Sequence, residues 1–205
     1  MKKAIIFGNY TNVSYHPLKG PDKELSAILQ DFETEITEDY DRFTQTSLRS
    51  FDLCVSYTED RLGDEQVTGL CSYVLNGGGL LAIHNGISVN ARYEAAHLIG
   101  GRFRSHPDQK ILTYKPADTG HIILEGIDSF SMQEEPYQFD IDNLIETTIL
   151  LEYESEGRKW PAAWAHSYGL GRVVYLSPGH HTGSFIDPMY RKLIHRSALW
   201  AADLL

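Results

Sequence analysis

Two cysteines in 205 residues are too few for a disulfide framework. Cys54 lies in an apolar segment of strand character and Cys71 on the apolar side of a helical pattern, so both read as small buried hydrophobes. No apolar run approaches the length of a bilayer span, and the apolar part of MKKAIIFGNY is too short for a secretory signal. A cytoplasmic location is the expectation. Positive charge is scarce as well: 18 Lys and Arg stand against 28 Asp and Glu, a net charge of −10. That balance argues against nucleic acid and against an anionic membrane as partners. An uncharged substrate or a bound cation fits it better. There is no GxGxxG fingerprint, so no nucleotide cofactor is expected, and no HxH or HExxH spacing that would mark a metal site by itself. Repeats and low-complexity tracts are missing too.

What remains is a chain that is 42 % hydrophobic and long enough for one well-buried core, read as a single domain over 1–205. Its organising stretch is GGGLLAIHNG, residues 77–86, in which a glycine turn leads into four apolar residues and stops at His84. A short continuous apolar run after a turn reads as a strand buried on both faces of a parallel sheet. Residues 3–7, 33–37 and 51–57 read as further strands. Leu25, Ile28, Leu29 and Phe32 are spaced as one helix face after Pro21 and Asp22, and Val67, Leu70, Cys71, Val74 and Leu75 mark a second helix ending at Asn76-Gly77. A third helix is expected over 89–99. Strands and helices in that alternation predict an α/β fold with a mostly parallel, doubly wound sheet.

The second half has a different rhythm. Residues 110–114, 121–124, 137–141 and 148–153 are strand-like, and 162–165 with 172–176 flank a Tyr168–Gly171 turn as a β-hairpin. A closing helix from Pro188 would bury Leu193, Ile194, Ser197, Ala198, Ala201 and Leu205.

Nine histidines is a high count for this length. His97, His121, His166 and His195 fall in or beside regular elements and read as structural or solvated. His16, His84, His106, His180 and His181 lie in loops or at strand ends, where rigid scaffolds place functional groups. His180, in SPGHH, follows the 172–176 strand just as His84 follows its own. If those strands are neighbours, two imidazoles meet in the crevice beyond the carboxyl edge, where doubly wound sheets bind ligands. Imidazole suits both metal ligation and proton transfer near neutral pH. Glu134 or Glu135, in QEEPY, could add a carboxylate as third ligand or base. Tyr137, Trp160 and Trp164 are either packing residues or platforms for a sugar ring.

GGGLLAIHNG, LIGGRFRSHP, EEPYQF, PAAWAHSYGLGRVVYLSPGHH and LIHRSALWAA, in that order, resemble the ThuA (trehalose-utilisation) family of class I glutamine-amidotransferase-like domains. The resemblance runs from Phe51 to the C-terminus; the first fifty residues share only α/β character with it. It implies a flavodoxin-like sheet with helices on both faces and a role in disaccharide or keto-sugar catabolism. The residues that match the family pattern are His84, His106, Glu135, Tyr137, Trp164 and Gly179-His180. The acid before Glu135 is here Glu134, and the position after His180, often Asp, is His181. In true amidotransferases the turn after this strand carries a cysteine nucleophile; here His84 stands in its place, so ammonia release from glutamine is not expected.

These readings converge on an enzyme for a small carbohydrate, a disaccharide or 3-keto-glycoside, acting by hydrolysis, elimination or isomerisation. His84, His180 and Glu135 are the expected catalytic groups or ligands of a divalent metal such as zinc. His16, His106, Tyr137, Trp164 and His181 are expected to line the substrate site. A homo-oligomer is left open. The alternative is a non-catalytic sugar-binding or regulatory module on an amidotransferase-like scaffold.

Overall fold

The computed structural model describes residues 1–59, 61–86 and 92–205. Through the first half the chain runs β1 (Lys2–Gly8), α1 (Pro21–Ile28), β2 (Phe32–Thr37), α2 (Gln45–Leu48), β3 (Leu53–Tyr57), α3 (Asp64–Leu75), β4 (Gly79–Ile83) and α4 (Tyr93–Ile99). It continues through β5 (Gly101–Ser105), β6 (Lys110–Pro116), β7 (Phe130–Glu134), β8 (Gln138–Ile141), β9 (Thr148–Ser155), β10 (Arg158–Tyr168), β11 (Gly171–Leu176) and α5 (Pro188–Ala201). Nine strands form one sheet in the order β2-β1-β3-β4-β11-β10-β9-β6-β7, and β5 pairs with β8 in a small second sheet.

The five strands from β2 to β11 are parallel, as the α/β pattern requires. From β11 outward the pairing turns antiparallel, beginning with the β10–β11 hairpin expected around Gly169–Gly171. Irregularities in β10 at Pro161–Trp164 break its register with β9, and such bulges bend a strand.

Every residue of β3 and β4 is buried, which is why neither alternates in sequence. Successive residues nevertheless go to opposite faces. Leu81 and Ile83 join Ile6, Val55 and Val174 in a core with α1 and α5, while Leu80 and Ala82 join Ile5, Cys54 and Val173 under α3 and α4. Each such aliphatic side chain contributes about 1.5–3 kcal/mol through burial. Helix α5 is started by Asp187, whose carboxylate accepts from the Met189 and Tyr190 amides at 2.9 Å, with Pro188 at the first turn. Among the described residues no helix is long and apolar enough to cross a membrane.

Four local expectations need correction. Phe32 is the first residue of β2 rather than part of a helix face, because α1 stops at Ile28 and the backbone leaves helical angles at Leu29. Residues 122–124 form a 3-10 turn, not a strand, because the His121 ring caps it by accepting from the Ile123 amide at 3.2 Å. The third helix starts at Tyr93; residues 89–91 of the expected span lie outside the described residues. Leu205 follows the end of α5 and is 37 % exposed, so it is not part of the buried face. Strands β5 and β7 and the short helix α2 have no strong sequence signal.

Candidate metal centre

Leu176 pairs with Ile83, so β11 and β4 end side by side and their loops leave the same carboxyl edge. His84 takes the first position after β4 in a left-handed conformation (φ 48°), which costs a non-glycine residue roughly 1–2 kcal/mol. Three contacts hold it there. Its Nδ1–H donates to the Ser177 carbonyl at 2.8 Å, its own carbonyl accepts from the Tyr175 hydroxyl at 3.0 Å, and its ring stacks on Tyr137 at 4.3 Å between centroids. The Ser177 contact fixes the tautomer and leaves the Nε2 lone pair facing outward from the strand end.

Three more side chains arrive at that nitrogen from distant parts of the chain. His16 comes from the loop after β1, Glu135 from the end of β7 and His180 from the loop after β11. His16 Nε2 is 3.2 Å from both His84 Nε2 and His180 Nδ1. Glu135 Oε2 is 3.1 Å from His180 Nδ1, 3.4 Å from His84 Nε2 and 4.0 Å from His16 Nε2. All four donor atoms lie within 4.8 Å of one another. Donor atoms held about 2.0–2.1 Å from one zinc ion are about 3.3 Å apart, which is the separation seen along the sides of this group.

The electrostatics suit ligation. Burial, helped by the neighbouring His84 and His180 rings, lowers the His16 pKa to about 3, so this imidazole is neutral with a free lone pair. Burial alone would raise the Glu135 carboxyl, but the close His180 and His84 rings outweigh it and hold the group well below the usual carboxylate range. The same contact with Glu135 raises His180. Glu135 Oε2 is buried and within ion-pair distance of His180, His84 and His16, with no donor beyond those imidazoles among the described residues. Three imidazole nitrogens around one buried carboxylate oxygen match the donor set of a divalent cation, which on binding would displace the proton that the Glu135 contact favours on His180.

Glu134 does something else. Fully buried, it accepts from the Gly179 amide at 3.0 Å, the His180 amide at 3.2 Å and the Ser184 hydroxyl. Adjacent carboxylates at the end of β7 thus split the work: Glu135 faces the imidazoles, and Glu134 fastens the loop that presents one of them.

His106 stands at the more open side, its side chain 37 % exposed and its Nε2 3.8 Å from Glu135 Oε1. Tyr137 lies against it as well as against His84, at 5.3 Å between centroids. The expected set is therefore regrouped. His84, His180, Glu135, His106 and Tyr137 come together, and His16 joins the donor atoms rather than lining the surroundings. His181 is exposed, 3.4 Å from Ser184 Oγ, and outside the four-atom group. Trp164 is not at the site: it has no exposed surface, its indole N–H donates to the Ile99 carbonyl at 2.8 Å, and it packs on Tyr175 and Phe139. Nothing in the local spacing separates His16 from any other loop histidine; only the β1-β3-β4 strand order brings its loop to the cluster.

A parallel sheet with ligand-type side chains gathered beyond its carboxyl edge defines a doubly wound α/β domain with histidine at the turn after β4. The ThuA family profile, described as trehalose utilisation, matches residues 4–201, and the chain belongs to that family. Similar solved structures include a ThuA-like protein from Bacteroides uniformis, with a TM-score of 0.82, 17 % identity and coverage of 98 % of this chain and 91 % of that one. Another ThuA-like protein, from Parabacteroides merdae, gives 0.82, 19 %, 98 % and 90 %. A β-galactosidase from Rahnella sp. R3 shares the fold over 100 % of this chain but only 32 % of its own, at TM-score 0.73 and 12 % identity. No protein of curated function matches the sequence.

Proposed function

We propose that this protein is a divalent-metal-dependent enzyme acting on a disaccharide or 3-keto-glycoside, with His16, His84, His180 and Glu135 as the metal ligands. The reading is carried by one observation: four stretches of chain deliver three imidazole nitrogens and a buried carboxylate oxygen to one point. The family's description as trehalose utilisation supports a sugar as substrate.

A bound divalent ion would polarise a sugar carbonyl or acidify a water molecule there. The protein's own groups do the rest. Glu135, held ionised, is a good ligand and a poor base, so it is assigned to holding the ion. His84 is buried with Nδ1 tied to Ser177 and is likewise a ligand rather than a proton carrier. His106 Nε2, at the open side, is the group placed to take a proton from substrate and return it to a leaving oxygen. Tyr137, stacked on both rings, keeps His106 in register with the ligands. A 3-keto-glycoside suits such a site because its carbonyl acidifies the adjacent C–H, so that a modest base can start departure of the aglycone. Glutamine hydrolysis does not suit it, since an imidazole at the elbow cannot replace the thiolate in acyl transfer.

The test is turnover of 3-keto-trehalose and 3-keto-sucrose followed by NMR, on protein stripped of metal and then reloaded with zinc or manganese. Turnover should vanish on stripping, return on reloading and be lost in His106→Ala while metal binding persists. Metal-replete protein that binds these sugars and leaves them intact would instead support a non-catalytic sugar-binding module.

A further inference from the structure

His106 and Tyr137 face the metal-type cluster, and their chain neighbours Ser105 and Gln138 line a separate groove of about 300 Å³. Arg104, Ser155, Arg158 and Trp160 complete most of its wall, with Glu156 as the single acid among the lining residues. The charge here runs against the molecule, which carries a net −10. The Arg158 guanidinium lies 4.3 Å over the Trp160 ring and forms no ion pair among the described residues. Contact with the ring face favours the guanidinium while leaving its N–H groups without a carboxylate partner among the described residues, so they could take a pair of oxygens. Lys110 donates to Ser155 Oγ at 2.8 Å and likewise has no carboxylate partner among the described residues. Among the described residues Arg104 is paired only with Asp140, at 3.3 Å between largely exposed side chains, a contact weak enough to exchange for a ligand. The Ser105 hydroxyl donates to the Gln138 side-chain oxygen at 3.4 Å, so the Gln138 NH2 and the Ser155 hydroxyl are the neutral groups that remain to read sugar hydroxyls.

We propose that this groove is an oxyanion subsite that takes the phosphate or carboxylate of an acidic sugar, two of its lining residues being the chain neighbours of His106 and Tyr137. Assigning the oxyanion to the substrate rests on the function proposed above; the binding of the anion does not. Within the disaccharides and keto-glycosides proposed above, the subsite would favour members that carry an acidic group, in contrast to the uncharged substrate that the overall charge suggested.

The experiment is an NMR titration that follows the Arg158 Nε–H and Trp160 indole N–H signals at constant ionic strength. Glucose 6-phosphate, glucuronate, inorganic phosphate and glucose are added in turn to metal-free and to metal-loaded protein. Glucose 6-phosphate or glucuronate should shift both signals, glucose should not, and whichever acidic sugar binds should do so about tenfold more tightly than inorganic phosphate. Arg158→Ala should weaken that binding about tenfold with an unchanged melting temperature, and Arg104→Ala should weaken it less. Silence of both signals to every anion, an equal response to glucose, or inorganic phosphate binding as tightly as the sugars would overturn the proposal. A failure to bind metal or to turn over substrate contradicts the proposed function and leaves these titrations readable.

Discussion

Removing the Glu134 carboxylate is the most revealing single change, because it touches no proposed ligand atom. Its three donors, two backbone amides and one hydroxyl, all come from the loop after β11. In Glu134→Ala they lose an acceptor that itself has no exposed surface. Each buried unsatisfied donor costs about 1–3 kcal/mol, and partial relaxation brings the sum to about 3–5 kcal/mol. For a chain of this size that lowers the melting temperature by roughly 10 °C. Glu134→Gln keeps one acceptor but turns an amide NH2 toward a donor, at a cost of about 2–3 kcal/mol. Because the same loop carries His180, the Gln variant should also bind cobalt or zinc about 10–100-fold more weakly, as loss of a group that orients a ligand commonly does. The assays are thermal unfolding by circular dichroism and calorimetric titration of the folded variant with zinc. If both variants melt within about 2 °C of the parent, or if Glu134→Gln binds zinc as tightly as the parent, Glu134 does not hold the His180 loop in the way described.

Gly179→Ala should destabilise by about 2–4 kcal/mol and weaken zinc binding, since φ is +140° and a new Cβ would sit 3.0 Å from His84 Cβ and Ile83 Cγ2; urea unfolding and calorimetry test both effects. Trp164→Phe should cost about 2–3 kcal/mol through the lost indole bond to Ile99 and the lost packing, with zinc and sugar binding unchanged; altered sugar affinity would return Trp164 to the site. Burial lowers the His166 pKa from 6.5 to about 4, so between those values the unfolded chain binds a proton that the folded chain refuses. Stability should therefore fall on acidification through this window, by about 1–2 kcal/mol at pH 5 from this residue, and His166→Gln should show a correspondingly shallower pH dependence in urea titrations.

The parallel half of the fold is legible in sequence because its strands are short, continuously apolar and bounded by glycine. GGGLLAIHNG declares both β4 and the residue at its end, and VVYLSPGHH does the same for β11. Once those strands lie side by side, His84 and His180 must approach each other. Glu135 is harder, since β7 carries no strong pattern and joins the sheet at the far edge from β2; its nearness to the imidazoles depends on how the antiparallel half bends. His16 is harder still, because its loop has no periodicity and its place follows from tertiary order alone. Trp164 shows the opposite failure. The sequence offers an aromatic residue in a hairpin, but only the sheet's packing on Phe139 and Tyr175 decides that it belongs to the core.

The most direct test of the metal centre is a crystal structure with anomalous scattering at the zinc edge, on protein purified with zinc and assayed for metal content. One ion per chain should lie about 2.0–2.2 Å from His16 Nε2, His84 Nε2, His180 Nδ1 and Glu135 Oε2, and should be lost in His84→Ala. Protein that binds no stoichiometric divalent ion, or binds one away from these four atoms, would contradict the account.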